Sequence, residues 1–160
     1  ALDLQYMLGD TLLAAPVFLA DGAAEYYLPK GKWYNLLTGE LLEGPGWHQG
    51  RFDYHTMPLL AAPGKILAMG NRCDRPDYDF AEGVTLHVTH LEDGEAAETV
   101  VPDLHGNPVL TARAARSGNE IRLHVQGGGN WTCGALWEPG ATVTRTDDGA
   151  VITLKGGGVR

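Results

Sequence analysis

The chain has 160 residues, 44% hydrophobic and 20% charged, which is enough apolar content to build a core in one domain or two small ones and too much for a disordered segment. Its formal net charge of -8 argues against nucleic acid and anionic membrane as partners, since both require clustered Lys and Arg. No apolar stretch approaches the roughly 20 residues of a membrane-spanning helix.

The chain opens on ALDLQYMLGDTLLAAPVF, without the basic-then-apolar pattern of a secretory leader. Leu2, Leu4, Met7 and Leu8 give a short apolar face, Gly9-Asp10 breaks it, and the run from Leu12 to Phe18 reads as a buried strand. This opening resembles the exit from a larger body, so Leu4, Tyr6, Met7, Leu8 and Leu12, with Leu2, are expected to cover a neighbouring domain. Further strands are predicted at 25–28, 32–37, 46–54, 58–62 and 65–69. In the second half they are predicted at 84–91, 97–101, 108–114, 120–126, 132–137, 142–145 and 150–154. The 22 Gly and 9 Pro fall almost wholly between these runs, as tight turns require. Several runs alternate strictly: Ile121, Leu123 and Val125 against Arg122, His124 and Gln126, and Val84, Leu86 and Val88 against Thr85, His87 and Thr89. Nothing after the first dozen residues has helical period. The pattern predicts an all-β chain of two small antiparallel sandwiches in tandem. The stretch GNRCDRPDYDFAEGV is charged and aperiodic, which sets the boundary between residues 1–73 and 74–160. The closing KGGGVR reads as a loose or truncated end.

Few residues carry chemistry. Asp74, Asp77 and Asp79 lack the regular ligand spacing and terminal Glu of a calcium loop and read as a solvated linker. The six histidines show no paired ligand spacing, so no metal is expected. Gln126–Asn130 is followed by neither Lys-Ser/Thr nor a helix and reads as a turn rather than a phosphate cradle. Cys73 and Cys133 form no metal motif or disulfide ladder, which suits a reducing, cytoplasmic setting while leaving a single disulfide open. No nucleophile–base pair and no cofactor site can be nominated. Flat aromatic side chains remain. Trp33, Tyr34 and Trp47 are candidate sugar contacts, by stacking on pyranose rings, but sandwich cores also bury Trp. In GKWYNLLTGE the alternation places either Trp33 or Tyr34 in the core.

Four stretches, LDLQYMLGDTLLAAPVF, YYLPKGKWYNLLTGE, MPLLAAPGKILAMGN and RPDYDFAEGVTLHV, resemble in order and spacing the C-terminal part of glycoside hydrolase family 31, closest to its bacterial α-xylosidases. The resemblance covers residues 1–93 and departs from the family pattern at Ala14, usually Val, and Ala62, usually Arg. It implies a proximal and a distal C-terminal sandwich whose partner is the upstream catalytic barrel of the same chain. It also implies that the nucleophile and acid/base of this retaining family lie upstream. The implied role is a non-catalytic scaffold within an α-xylosidase acting on xyloglucan-type oligosaccharides. The alternatives are a carbohydrate-binding module or the same region of an α-glucosidase.

Overall fold

The computed structural model describes residues 4–155; Leu2 and most of the closing KGGGVR lie outside them. The described residues are all-β, without a helix. Thirteen strands follow in order: β1 (Tyr6–Leu8), β2 (Leu12–Ala14), β3 (Ala23–Asn35), β4 (Leu41–Arg51), β5 (Leu59–Ala61), β6 (Ile66–Met69), β7 (Val84–Val88), β8 (Ala96–Pro102), β9 (Pro108–Ser117), β10 (Glu120–Gly127), β11 (Trp131–Ala135), β12 (Thr142–Thr146) and β13 (Gly149–Thr153). The chain divides into two compact units, residues 1–63 and 64–160.

Unit 1 is a five-stranded antiparallel sheet in the order β1-β2-β5-β3-β4. Its longest pairing is the β3–β4 hairpin, with β4 at the edge. Tyr26 and Leu28 are buried in the first half of β3, Trp33 and Asn35 in the second, so the inward phase moves from even to odd numbers. The register shows why. Leu28 faces Gly46 and Gly31 faces Gly44, so β3 spends one residue more than β4 over this step. That extra residue is a β-bulge, which reverses the side-chain phase and bends the strand. Gly44 sits directly against the Pro29 and Leu28 carbonyls, where a Cβ would collide with backbone. The bent sheet gathers Leu13, Ala15, Tyr26, Leu28, Trp33, Leu60 and Ala62 into one core.

Unit 2 is a sandwich. One sheet runs β12-β13-β10-β9-β8 and is antiparallel throughout. The other runs β11-β7-β6, with β7 antiparallel to β6 but parallel to β11. Val84, Leu86 and Val88 from one sheet and Ala112, Ala114, Ile121, Leu123 and Ile152 from the other meet in a single core. The boundary expected between residues 73 and 74 therefore moves to 63/64. The strand β6 belongs to unit 2 because it pairs with β7 from Ile66↔Val88 to Met69↔Thr85, across the whole connector. Lys65 and Thr89 extend that ladder: the Lys65 N–H and carbonyl both bond the Thr89 hydroxyl, and the Thr89 N–H bonds the same carbonyl. The connector changes composition without changing the sheet.

Candidate functional site

The aromatic candidates of the β3–β4 hairpin separate by face. Trp33 is 4% exposed, lies in the unit 1 core, and donates its indole N–H to the Pro29 carbonyl at 2.9 Å. It is thus the core member of the Trp33/Tyr34 pair, and its candidacy as a sugar contact is corrected: a side chain this buried offers no ring face to a ligand. Tyr34 is half-buried. Trp47 is 60% exposed. Its cross-strand partner Tyr27 meets it edge to face, with ring centroids 5.6 Å apart and planes at 68°. The Tyr27 backbone is fixed in turn by Gln5, whose side-chain amide accepts from the Tyr27 N–H at 2.7 Å and donates to its carbonyl at 2.9 Å. A side chain thus does the work of a neighbouring strand, and sequence pattern carries no signal for it. The hairpin also stacks His48 on Tyr26, 5.8 Å apart and 17° from parallel. Burial raises the Tyr26 phenol above its ordinary range, and the Glu40 carboxylate adds to the effect.

The second feature is the uncovered apolar start of the chain. Leu4, Tyr6, Met7 and Leu8 are between 44 and 52% exposed, whereas Leu12 is half-buried. Successive side chains of a strand point to opposite faces, so the exposure of Tyr6, Met7 and Leu8 together leaves both faces of β1 open. As the outermost strand, β1 also has one edge without a partner strand among the described residues. Leu4 joins Pro16, Phe18, Leu19, Gln49 and Arg51 in lining a groove of about 650 Å³. Phe18 and Leu19 are more exposed than any of the residues nominated from sequence. Phe18 ends the run from Leu12 that reads as a buried strand in the sequence, and its exposure corrects that reading.

The carboxylates are tied up locally. In the connector, Arg72 grips Asp74 through two contacts of 3.0 and 2.8 Å, Arg75 lies 3.8 Å from Asp77, and Asp79 accepts from the Ala81 N–H. The Arg72 hydrogen bond holds the Asp74 carboxyl below its ordinary range. Asp53 is lowered by the Thr56 hydroxyl and the His55 N–H, and Asp103 by the Asn107 side chain and backbone. All three shifts favour the ionised form, the opposite of what a general acid needs. Among the described residues no group of three or more His, Cys, Asp and Glu is placed to hold a metal ion. Cys73 and Cys133 are both free, and burial raises the Cys133 thiol above its ordinary range. Gln126 and Gly127 end β10 rather than opening a turn, and only 128–130 bend between β10 and β11, with Gly127 and Gly128 at positive φ beside Val109 and Leu110.

Residues 79–160 match the family description "Alpha-xylosidase YicI, C-terminal domain", and residues 1–67 match "Glycosyl hydrolase family 31 C-terminal domain". The chain belongs to glycoside hydrolase family 31. Among its relatives in the family, the alpha-xylosidase XylQ of Lactiplantibacillus pentosus is 31% identical over 77% of this chain and 16% of its own length. An alpha-xylosidase of Emericella nidulans is 27% identical over 79% of the chain and 18% of its own length. Alpha-glucosidase 2 of Bacillus thermoamyloliquefaciens is 29% identical over 62% of the chain and 13% of its own length. The chain therefore spans less than a fifth of these relatives. The same fold occurs in the cycloalternan-forming enzyme of Listeria monocytogenes (TM-score 0.70, 24% identity, 89% of this chain and 14% of that one). It occurs again in the family 31 dextranase of Flavobacterium johnsoniae (TM-score 0.68, 18% identity, 86% and 20%). The family motif YLPxGxW coincides with the β3 bulge. The departures at Ala14 and Ala62 are both buried.

Proposed function

We propose that the chain is the non-catalytic C-terminal portion of a retaining α-glycosidase, an α-xylosidase acting on xyloglucan-type oligosaccharides, and that it serves as scaffold for the catalytic barrel of the same polypeptide. The observation that supports the scaffold reading is β1, an apolar strand with exposed side chains on both faces and, among the described residues, a partner strand on one edge alone. The α-xylosidase reading is supported by the family description matched by residues 79–160 and by two α-xylosidases among the relatives. The two free cysteines support a cytoplasmic setting. In the longer polypeptide that this reading requires, Met7→Asp with Leu8→Asp should lower both Tm and kcat on p-nitrophenyl α-xyloside, because two charges would be forced into a desolvated interface. The parent's kcat/KM should be higher for the α-xyloside than for the α-glucoside. Unchanged Tm and activity in the double variant would remove the docking role, and a preference for glucoside would move the parent to the α-glucosidase branch.

A second reading, direct carbohydrate binding by unit 1, is favoured by one observation, the outward face of Trp47 beside Tyr27. Saturable quenching of Trp fluorescence by xyloglucan oligosaccharides, lost in Trp47→Ala, would support it.

A further inference from the structure

A cavity of about 400 Å³ in unit 2 is lined by segments distant in sequence: His90 beyond β7, Asp93 before β8, Arg116 in β9, Asn119 in the turn to β10, and Trp137 and Glu138 beyond β11. Its volume is at the lower end of small-ligand sites, which run from about 300 to 1,000 Å³. The aromatic wall is built and held. Trp137 packs on the unit 2 core with part of its surface and is otherwise open, and the His90 ring, 7% exposed, lies 5.1 Å from it at 55°. The polar wall is fixed as well. Arg116 donates Nε–H to the Gly118 carbonyl at 2.9 Å and Nη1–H to the Leu91 carbonyl at 2.5 Å, and Asp93 accepts from the Gly118 N–H at 2.7 Å.

We propose that this cavity binds a single neutral sugar unit, one ring face laid on Trp137 and the hydroxyls shared between the Asn119 amide and the Glu138 carboxylate. The charge pattern selects the class. Asp93 and Glu138 line the cavity together with Arg116 and Lys155, so an anion would meet two carboxylates and a cation two bases. A neutral polyol finds donors and acceptors without excess of either, and a pyranose adds a C–H face that suits an indole. A purely apolar ligand would strip water from these charged groups with nothing in return. The inference does not depend on the catalytic reading of the parent, nor on the Trp47 surface of unit 1.

The test is NMR titration of the complete 160-residue chain with methyl α-D-xylopyranoside and with methyl α-D-glucopyranoside. The Trp137 indole N–H, assigned with Trp137→Phe, and the Asn119 side-chain amide should shift together and saturably with at least one sugar. Asn119→Ala and Glu138→Gln should each weaken binding roughly three- to tenfold with Tm unchanged, as expected for one lost hydrogen bond. Trp47→Ala should leave the titration as it was. Should Trp137→Phe fail to fold, the Asn119 amide followed in the unaltered chain and in Glu138→Gln carries the same readout. Failure of both sugars to move these signals saturably, full binding in both rim variants, or a stronger response to inorganic phosphate would each overturn the proposal.

Discussion

Leu28 and Leu86 are both fully inaccessible, one in the core of each unit. Truncating either to Ala removes transfer free energy and leaves a cavity that the surrounding sheet fills only in part, so each should lose about 2–5 kcal/mol in urea unfolding. The Leu28→Ala loss should appear in the unit 1 signals and the Leu86→Ala loss in those of unit 2. His87 poses a different problem for unit 2. It sits on the middle strand of a sheet, between Leu67 and Gly134, and burial lowers its pKa below the ordinary 6.5. The folded state therefore prefers the neutral imidazole. Below pH about 6.5 the unfolded chain takes up a proton that the native one resists, so stability present at neutral pH declines as the pH falls through that window. The Tm of unit 2 should fall between pH 7.5 and 5, and His87→Gln should flatten the decline; an equally steep fall in the variant would remove His87 as the cause.

At the scale of elements, the bulge in β3 and the allegiance of β6 make opposite demands on the chain. The bulge is a local device. Deleting Lys30 would bring Leu28 and Trp33 from five positions apart to four, so simple alternation would keep both on the inner face while removing the bulge and the bend it gives the strand. Unit 1 should then keep the near-ultraviolet circular dichroism of a buried Trp33 at a lowered Tm, and loss of that signal would show that the bulge does not set the phase. The β6–β7 ladder is non-local, and it predicts where the chain can be cut. A segment from Gly64 to the end should fold with dispersed amide resonances, whereas one starting at Asp74 should not, because it leaves β7 unpaired on one side and exposes the Leu86 core. Equal folding of both segments would return the boundary to the connector. The alternation of Val84, Leu86 and Val88 and of Ile121 and Leu123 made their strands legible from sequence, because burial on one face imposes period two. Pro29-Lys30-Gly31 made one long strand look like two, since a bulge uses the same residues as a turn. Neither the β6–β7 pairing across the connector nor the parallel β7–β11 pairing leaves a mark in local pattern, because both are decided by hydrogen bonds between distant segments.

For the molecule as a whole, sequence reading succeeded where a residue's chemistry is decided by its own neighbours. The connector carboxylates read as solvated, and they are found in exposed pairs with Arg72 and Arg75. It was incomplete where three dimensions decide: Trp33 and Trp47 are equally aromatic, and only the bulge and hairpin send one inward and the other out. Membership of a hydrolase family raises the question of turnover by this chain itself. Retaining glycoside hydrolysis needs two carboxyl groups about 5 Å apart, one kept protonated by its surroundings until it meets the leaving oxygen. Asp74 is held ionised by Arg72, Asp77 lies beside Arg75, and the Asp79 carboxylate is engaged with the Ala81 N–H. None of the three is arranged as the protonated half of such a pair. The purified chain should therefore fold yet release no nitrophenol from p-nitrophenyl α-xyloside or α-glucoside above background. Converting Asp74, Asp77 and Asp79 together to Asn should loosen the connector, seen as faster amide exchange over residues 72–82, and leave the absent turnover absent. A rate that scales with protein concentration and vanishes in the triple variant would show that the connector holds a working carboxylate pair, and the non-catalytic reading would fall with it.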